Sequence, residues 1–178
     1  MIVSRPDLPP YEPIPDGLQA AVLVGHFDLG LQAGFVGEKP KHKVALLWEL
    51  AARRADGKRF TVSKEYTAIL ADSANLRAIL ESWRGARLTE DELKGFELGH
   101  LHGRACTLDL QRRLKRNGRD TFVDVVGVYR PRKNDPVLKV ETPEVFIPEW
   151  VAQKMSEALP AAAAQDFAAD EYVGDQPF

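Results

Sequence analysis

The chain has 178 residues, 44% of them hydrophobic and 28% charged, which is enough for one domain with its own core plus a tail. No apolar run approaches the ~20 residues that cross a bilayer, and the start, Met1-Ile2-Val3-Ser4-Arg5-Pro6-Asp7, is too polar and proline-rich to read as a secretion signal. The net charge of −2 hides an asymmetry: Glu157, Asp166, Asp170, Glu171 and Asp175 follow the last base, Lys154, so the remainder holds 24 bases against 21 acids.

Residues 1–17 form an extended lead-in, because Pro6, Pro9, Pro10, Pro13 and Pro15 remove backbone donors and fix φ. Residues 18–27 read as a first strand. Gly30, Gly34 and Gly37 then allow either a loop or a bent continuation with a glycine bulge. Over 42–51, Val44, Leu46, Trp48 and Leu50 alternate with Lys43, Ala45, Leu47 and Glu49, a period of two. Asp56-Gly57 marks a tight turn into a third strand, 59–67, so these two strands pair as a hairpin.

The period then changes. Leu76, Ile79, Leu80 and Trp83 fall on one face of a helix capped by Asp72 or Ser73 and ended by Gly85. Thr89 and Glu92 have capping-box spacing for a second, short helix. Strands at 103–114 and 120–130 flank the turn signal Asn117-Gly118. Beyond Pro131 the chain turns irregular, with a short strand at 137–141 and a brief helix at 151–159. Three strands, a helix and two strands is the element order of an OB-fold, a small five-stranded barrel with a helix between strands three and four. The expected organisation is a lead-in over 1–17, a mainly β OB-fold domain over 18–150 and a disordered acidic tail over 151–178.

Arg112, Arg113, Lys115, Arg116 and Arg119 place five cations within eight residues around the last hairpin. Clustered Lys and Arg bind phosphates with release of counterions, and in an OB-fold this loop borders the nucleic-acid groove. The plainer alternative is a solvated hairpin tip. Base-stacking aromatics would complete such a site. Trp48 and Trp83 lie on apolar stripes and read as core. Tyr66 follows Lys64 where an apolar inner face gives way to charge, which suggests the rim. Phe122 and Tyr129 fall on opposite faces by parity, and Tyr129, beside Arg130, is the one expected outside.

His100, His102 and Cys106 make too few ligands for zinc, and the single cysteine, which excludes an internal disulfide, fits a reducing cytoplasm. Asp28, Glu49, Asp109 and Asp124 are scattered, and no phosphate loop or nucleophile motif is present. An enzyme and a cofactor are therefore not expected.

The terminal Gly174-Asp175-Gln176-Pro177-Phe178 follows an alanine-rich spacer and acids. A terminal ring beside its own carboxylate suits an apolar pocket edged by a cation. This end resembles the C-terminal tip of bacterial single-stranded DNA-binding proteins, matching at Asp175, Pro177 and Phe178 and departing at Gly174 and Gln176. In that family the tip docks replication and repair enzymes. Over about residues 10–130, the segments Lys43–Leu50, Phe60–Thr67 and Asn75–Gly85 also resemble phage-encoded OB-fold single-stranded DNA-binding proteins. The resemblance implies sequence-independent binding of single-stranded DNA in replication, recombination or repair in a host cytoplasm. Lys64, Tyr66, Arg112, Arg113, Lys115, Arg116, Arg119, Tyr129 and Arg130 are the candidate contacts, with Asp175, Pro177 and Phe178 docking partner proteins. No membrane partner is expected, and a homo-oligomer is left open. The alternative is an OB-like adaptor that binds protein and no nucleic acid.

Overall fold

The computed structural model describes residues 11–144 and 146–161, so the lead-in up to residue 10 and the tip residues Asp175, Pro177 and Phe178 lie outside the described part. It is mainly β, with five antiparallel strands in the order β3-β2-β1-β4-β5. These are β1 (Gly17–Gln32), β2 (Lys41–Arg53), β3 (Arg59–Thr67), β4 (Ala105–Leu114) and β5 (Thr121–Tyr129). Between β3 and β4 come α1 (Asn75–Arg84), α2 (Glu90–Lys94) and a 3₁₀ turn at Leu98–Leu101; α3 (Glu149–Ser156) follows β5. Among the described residues no helix is long and apolar enough to cross a membrane.

Both options for the glycine-rich stretch after residue 27 are found: the strand continues, bent, to Gln32, and residues 33–40 form a loop. β1 pairs with β4 through its first half and with β2 along most of its length, and its register shifts at Leu23/Gly25 and again at Asp28/Gly30. Gly30 takes a positive φ of 67° at the second shift, a conformation that costs a glycine little. The β2–β3 hairpin forms as the alternation demands, with Trp48 opposite Val62 and Leu46 opposite Lys64.

The core lies under one sheet face. Leu23, Leu46, Trp48, Leu50, Leu108 and Val128 are fully buried there, and Leu76, Leu80 and Trp83 of α1 close over them. Trp83 also donates from Nε1 to the Ala105 carbonyl at 2.8 Å, so the helix is pinned to β4. Each such buried apolar side chain contributes about 1.5–3 kcal/mol. The N-cap differs from the expected Asp72 or Ser73: Ala74 occupies it and supplies no side-chain cap, while Asp72 instead meets Arg77. Gly85 ends α1 in the left-handed conformation, and Thr89 and Glu92 form the full capping box of α2.

The opposite face of β1 and β2 is also covered. Leu138 and Val140 pack on Val22, Val24 and Leu47, and Val151 of α3 packs on Leu29 and Ala45. This explains why Val44 to Leu50 are buried without a break, with Ala45, Leu47 and Glu49 covered on the second face. The expected strand at 137–141 is absent; the segment is an irregular strap held by side chains. Glu49, fully buried, accepts from Arg59 Nη1 (2.7 Å) and from the Thr142 backbone N–H and hydroxyl (both 2.6 Å). Arg53 adds a bidentate pair with Glu141 at 2.9 and 2.7 Å. The expected start of the tail at 151 is likewise corrected: Val151 is fully buried, Trp150 Nε1 reaches Ser63 Oγ at 3.0 Å, and the Leu159 N–H bonds the Leu31 carbonyl at 2.8 Å.

Candidate nucleic-acid interface

The β4–β5 hairpin continues past the body of the sheet as a two-stranded ribbon. Arg112 pairs with Val123, Arg113 with Phe122 and Leu114 with Thr121, yet the side chains from Gln111 to Phe122 are all exposed. The turn closes with the Lys115 N–H on the Asp120 carbonyl and with Gly118 at φ 67°, as Asn-Gly chemistry favours. The side chains of Lys115, Arg116 and Arg119 at this tip make no ion pair or hydrogen bond among the described residues. Three uncompensated cations on a projecting ribbon are free to meet an anion.

The remaining expected cations are already engaged. Arg112 donates to the Ile14 carbonyl at 2.8 Å and lies 3.7 Å from Asp16. Arg113 Nε meets Asp124 at 3.1 Å. Lys64 Nζ donates to the same Asp124 at 2.9 Å and to the Val125 carbonyl at 2.6 Å. Asp124 thus ties Lys64, on the open edge of β3, to Arg113 on β4, and brings the β3 and β5 edges together at one point. A cleft of about 270 Å³ opens beside this seam, lined by Tyr66, Asn75 and Ile79 among others. Arg130 donates from Nε to the Arg84 carbonyl at 2.6 Å, where a cation favours the C-terminal end of α1.

The aromatic expectations change. Tyr66 is only 4% exposed, so its ring belongs to the core rather than to a rim, and burial raises its phenol well above the ordinary value. Lys64 Nζ stands 6.0 Å from that ring, the outer limit for a cation–π contact. Phe122 and Tyr129 share one face instead of two. β5 carries an extra residue, Val126, between the pairs Leu110–Val125 and Asp109–Gly127, and this bulge reverses the parity. Phe122 is 42% and Tyr129 44% exposed.

Phe35 and Val36, at the tip of the β1–β2 loop, are also exposed and were not among the expected contacts. The visible signal was an apolar pair framed by Gly34 and Gly37 and followed by Lys39, Lys41 and Lys43. A second concavity, of about 630 Å³, lies between α1, α2 and the 3₁₀ turn, floored by Trp83, Leu88 and Phe96. The Arg84–Glu92 pair on its rim satisfies itself at 2.6 Å, and the Arg84 guanidinium with the Thr89 N–H holds the Glu92 carboxyl down to about 2. Among the described residues no group of three or more His, Cys, Asp or Glu could hold a metal ion.

The expected residues therefore fall into three groups: the ribbon tip (Lys115, Arg116, Arg119), the seam (Lys64, Arg113), and the far end of β5 (Tyr129, Arg130). Arg112 is tied to the lead-in and Tyr66 is buried. Comparison with family models, with curated proteins and with solved structures found no match.

Proposed function

We propose that this chain binds single-stranded DNA without sequence preference and that its sheet is an OB-type barrel left open between β3 and β5. The observation that carries the binding reading is the projecting ribbon, whose Lys115, Arg116 and Arg119 have no partner among the described residues while Phe122 beside them is exposed. Cations tracking phosphate next to rings that stack bases is how proteins hold single strands. The strand order, the β3–β5 approach at Lys64 and Asp124, and a helix inserted between β3 and β4 support the barrel. The resemblance of the terminal residues supports docking of replication or recombination proteins through Asp175, Pro177 and Phe178, in a host cytoplasm.

The test is titration of labelled oligo-dT by fluorescence anisotropy across a salt series. Each phosphate neutralised on a single strand contributes a slope of about −0.7 in log K against log salt. Replacing Lys115, Arg116 and Arg119 together by Ala is expected to flatten the slope by about 2. A chain ending at residue 161, which keeps the Leu159–Leu31 bridge, is expected to bind more tightly at low salt, because the acids beyond it compete with DNA for the cations. Absence of binding at low salt would sink the reading and favour a protein-binding adaptor.

A further inference from the structure

We propose that the outer face of β4 and β5 is a base-stacking platform on which Phe122 and Tyr129 each take one base of a single-stranded nucleic acid. The inference rests on the binding function proposed above and names the surface that performs it. The outer face of β1 and β2 is closed by Leu138, Val140 and α3, so a ligand there would have to displace buried side chains. The outer face of β4 and β5 is more open: Thr107 at one end is buried against Asp135, while Tyr129, Gln111, Arg113 and Phe122 are exposed. The register sets Thr107, Asp109, Gln111 and Arg113 of β4 beside Tyr129, Gly127, Asp124 and Phe122 of β5.

The bulge at Val126 is what brings both rings to this face; with regular alternation one of them would point into the core. Tyr129 occupies the space a side chain on Gly127 would need: a Cβ there would stand 2.5 Å from the Tyr129 hydroxyl. Glycine at 127 therefore lets the ring lie down on the sheet. At the other end Phe122 faces Arg113, whose Nε is held by Asp124. That bond fixes the guanidinium beside the ring and leaves its other nitrogens for a phosphate.

The spacing suits a strand of nucleic acid. Six ladder steps separate Arg113 from Thr107, which is about 20 Å at the rise of a β-strand. A stacked strand advances about 3.4 Å per nucleotide, so about six nucleotides reach from one ring to the other. Asp109 lies between the rings and has no ion pair among the described residues. It repels a phosphate placed over the middle of the face, which turns bases toward the sheet and leaves the backbone to Arg113 and the ribbon cations.

The experiment uses the full chain with oligo-dT of 3 and 12 nucleotides, measured by anisotropy. Phe122→Ala and Tyr129→Ala are each expected to weaken dT12 about tenfold, with the salt slope unchanged because no phosphate contact is lost. The two losses multiply in the double variant for dT12 and not for dT3, which is too short to touch both rings. Tyr129→Phe, which keeps the ring, is expected to bind like the parent. In a second measurement that needs no variant, photocrosslinking with 5-iododeoxyuridine oligonucleotides joins the unaltered protein at Phe122 or Tyr129, read by mass spectrometry. Parent binding of dT12 with both alanine variants within twofold, or crosslinks confined to other residues such as Phe35, overturns the platform while the binding function stands. Failure of the parent to bind dT12 at low salt removes that function and the platform with it.

Discussion

Tyr66 joins a buried ring to a hydroxyl that has no hydrogen-bond partner among the described residues. A buried polar group left unpaired costs about 1–3 kcal/mol, so Tyr66→Phe is expected to raise stability by about 1 kcal/mol in urea unfolding and to leave oligo-dT affinity unchanged. A loss of binding in that variant would restore Tyr66 to the contact set. Burial also raises the Tyr66 phenol above its ordinary 10.0 and the Cys106 thiol above its ordinary 9.0. Groups whose folded pKa is raised contribute stability below the unfolded value and lose it as pH rises, so the fold weakens above about pH 9. The residues before Tyr66 were a fair guide to its face and a poor one to its exposure. Lys64 interrupts the apolar set Phe60, Val62, Tyr66 because it reaches across the seam to Asp124, not because the strand leaves the core there.

At the scale of elements, the strap over 137–142 depends on Glu49. Removing one partner of a buried ion pair typically costs about 3–5 kcal/mol, because the other charge is left buried and alone. Arg59 is nearly buried, so Glu49→Ala is expected to fall in that range and to release Leu138 and Val140 to solvent. Hydrogen exchange at Val22, Val24 and Leu47 would report the release; protection unchanged in the variant would mean that apolar packing alone holds the strap. Which elements were legible follows the same physics. The β2–β3 hairpin was readable because alternation and Asp56-Gly57 agree, and α1 because Leu76, Leu80 and Trp83 recur at helical spacing. The bulge was hidden because Val125, Val126 and Val128 are alike in polarity, so no polar residue marks the change of phase. The strap was hidden because its holding groups lie 92 and 93 residues away in sequence.

For the molecule as a whole, charge is arranged for balance inside and excess at one tip. Glu81, Glu92, Asp135 and Glu141 all lie below their ordinary values, held by named donors: the Leu88 N–H and Arg77, Arg84, Thr107 with Arg132 (against the opposing effect of burial), and Arg53. A depressed carboxyl contributes stability above its unfolded pKa and loses it as pH falls toward the folded one. Stability is therefore expected to hold down to about pH 4.5 and to decline toward about pH 2, where Glu92 finally takes its proton. Urea unfolding between pH 7 and pH 2 checks this, with Glu92→Gln flattening the lower part of the decline; a level curve across that range would contradict it.

Glu49 gives this architecture a consequence in time. Its partners at Glu141 and Thr142 lie 92 and 93 residues further along the chain. At about 5–20 residues per second of synthesis, they leave the ribosome about 5 to 20 s later. Until then the nascent β1–β2–β3 sheet shows Val22, Val24 and Leu47 to its surroundings, a surface suited to sticking to another unfinished chain. Glu49, paired at that stage only with Arg59 of β3, stands in that surface and acts as a gatekeeper, since a charge in an apolar strand discourages such association. The same side chain that protects the incomplete sheet later becomes the peg on which the strap is hung.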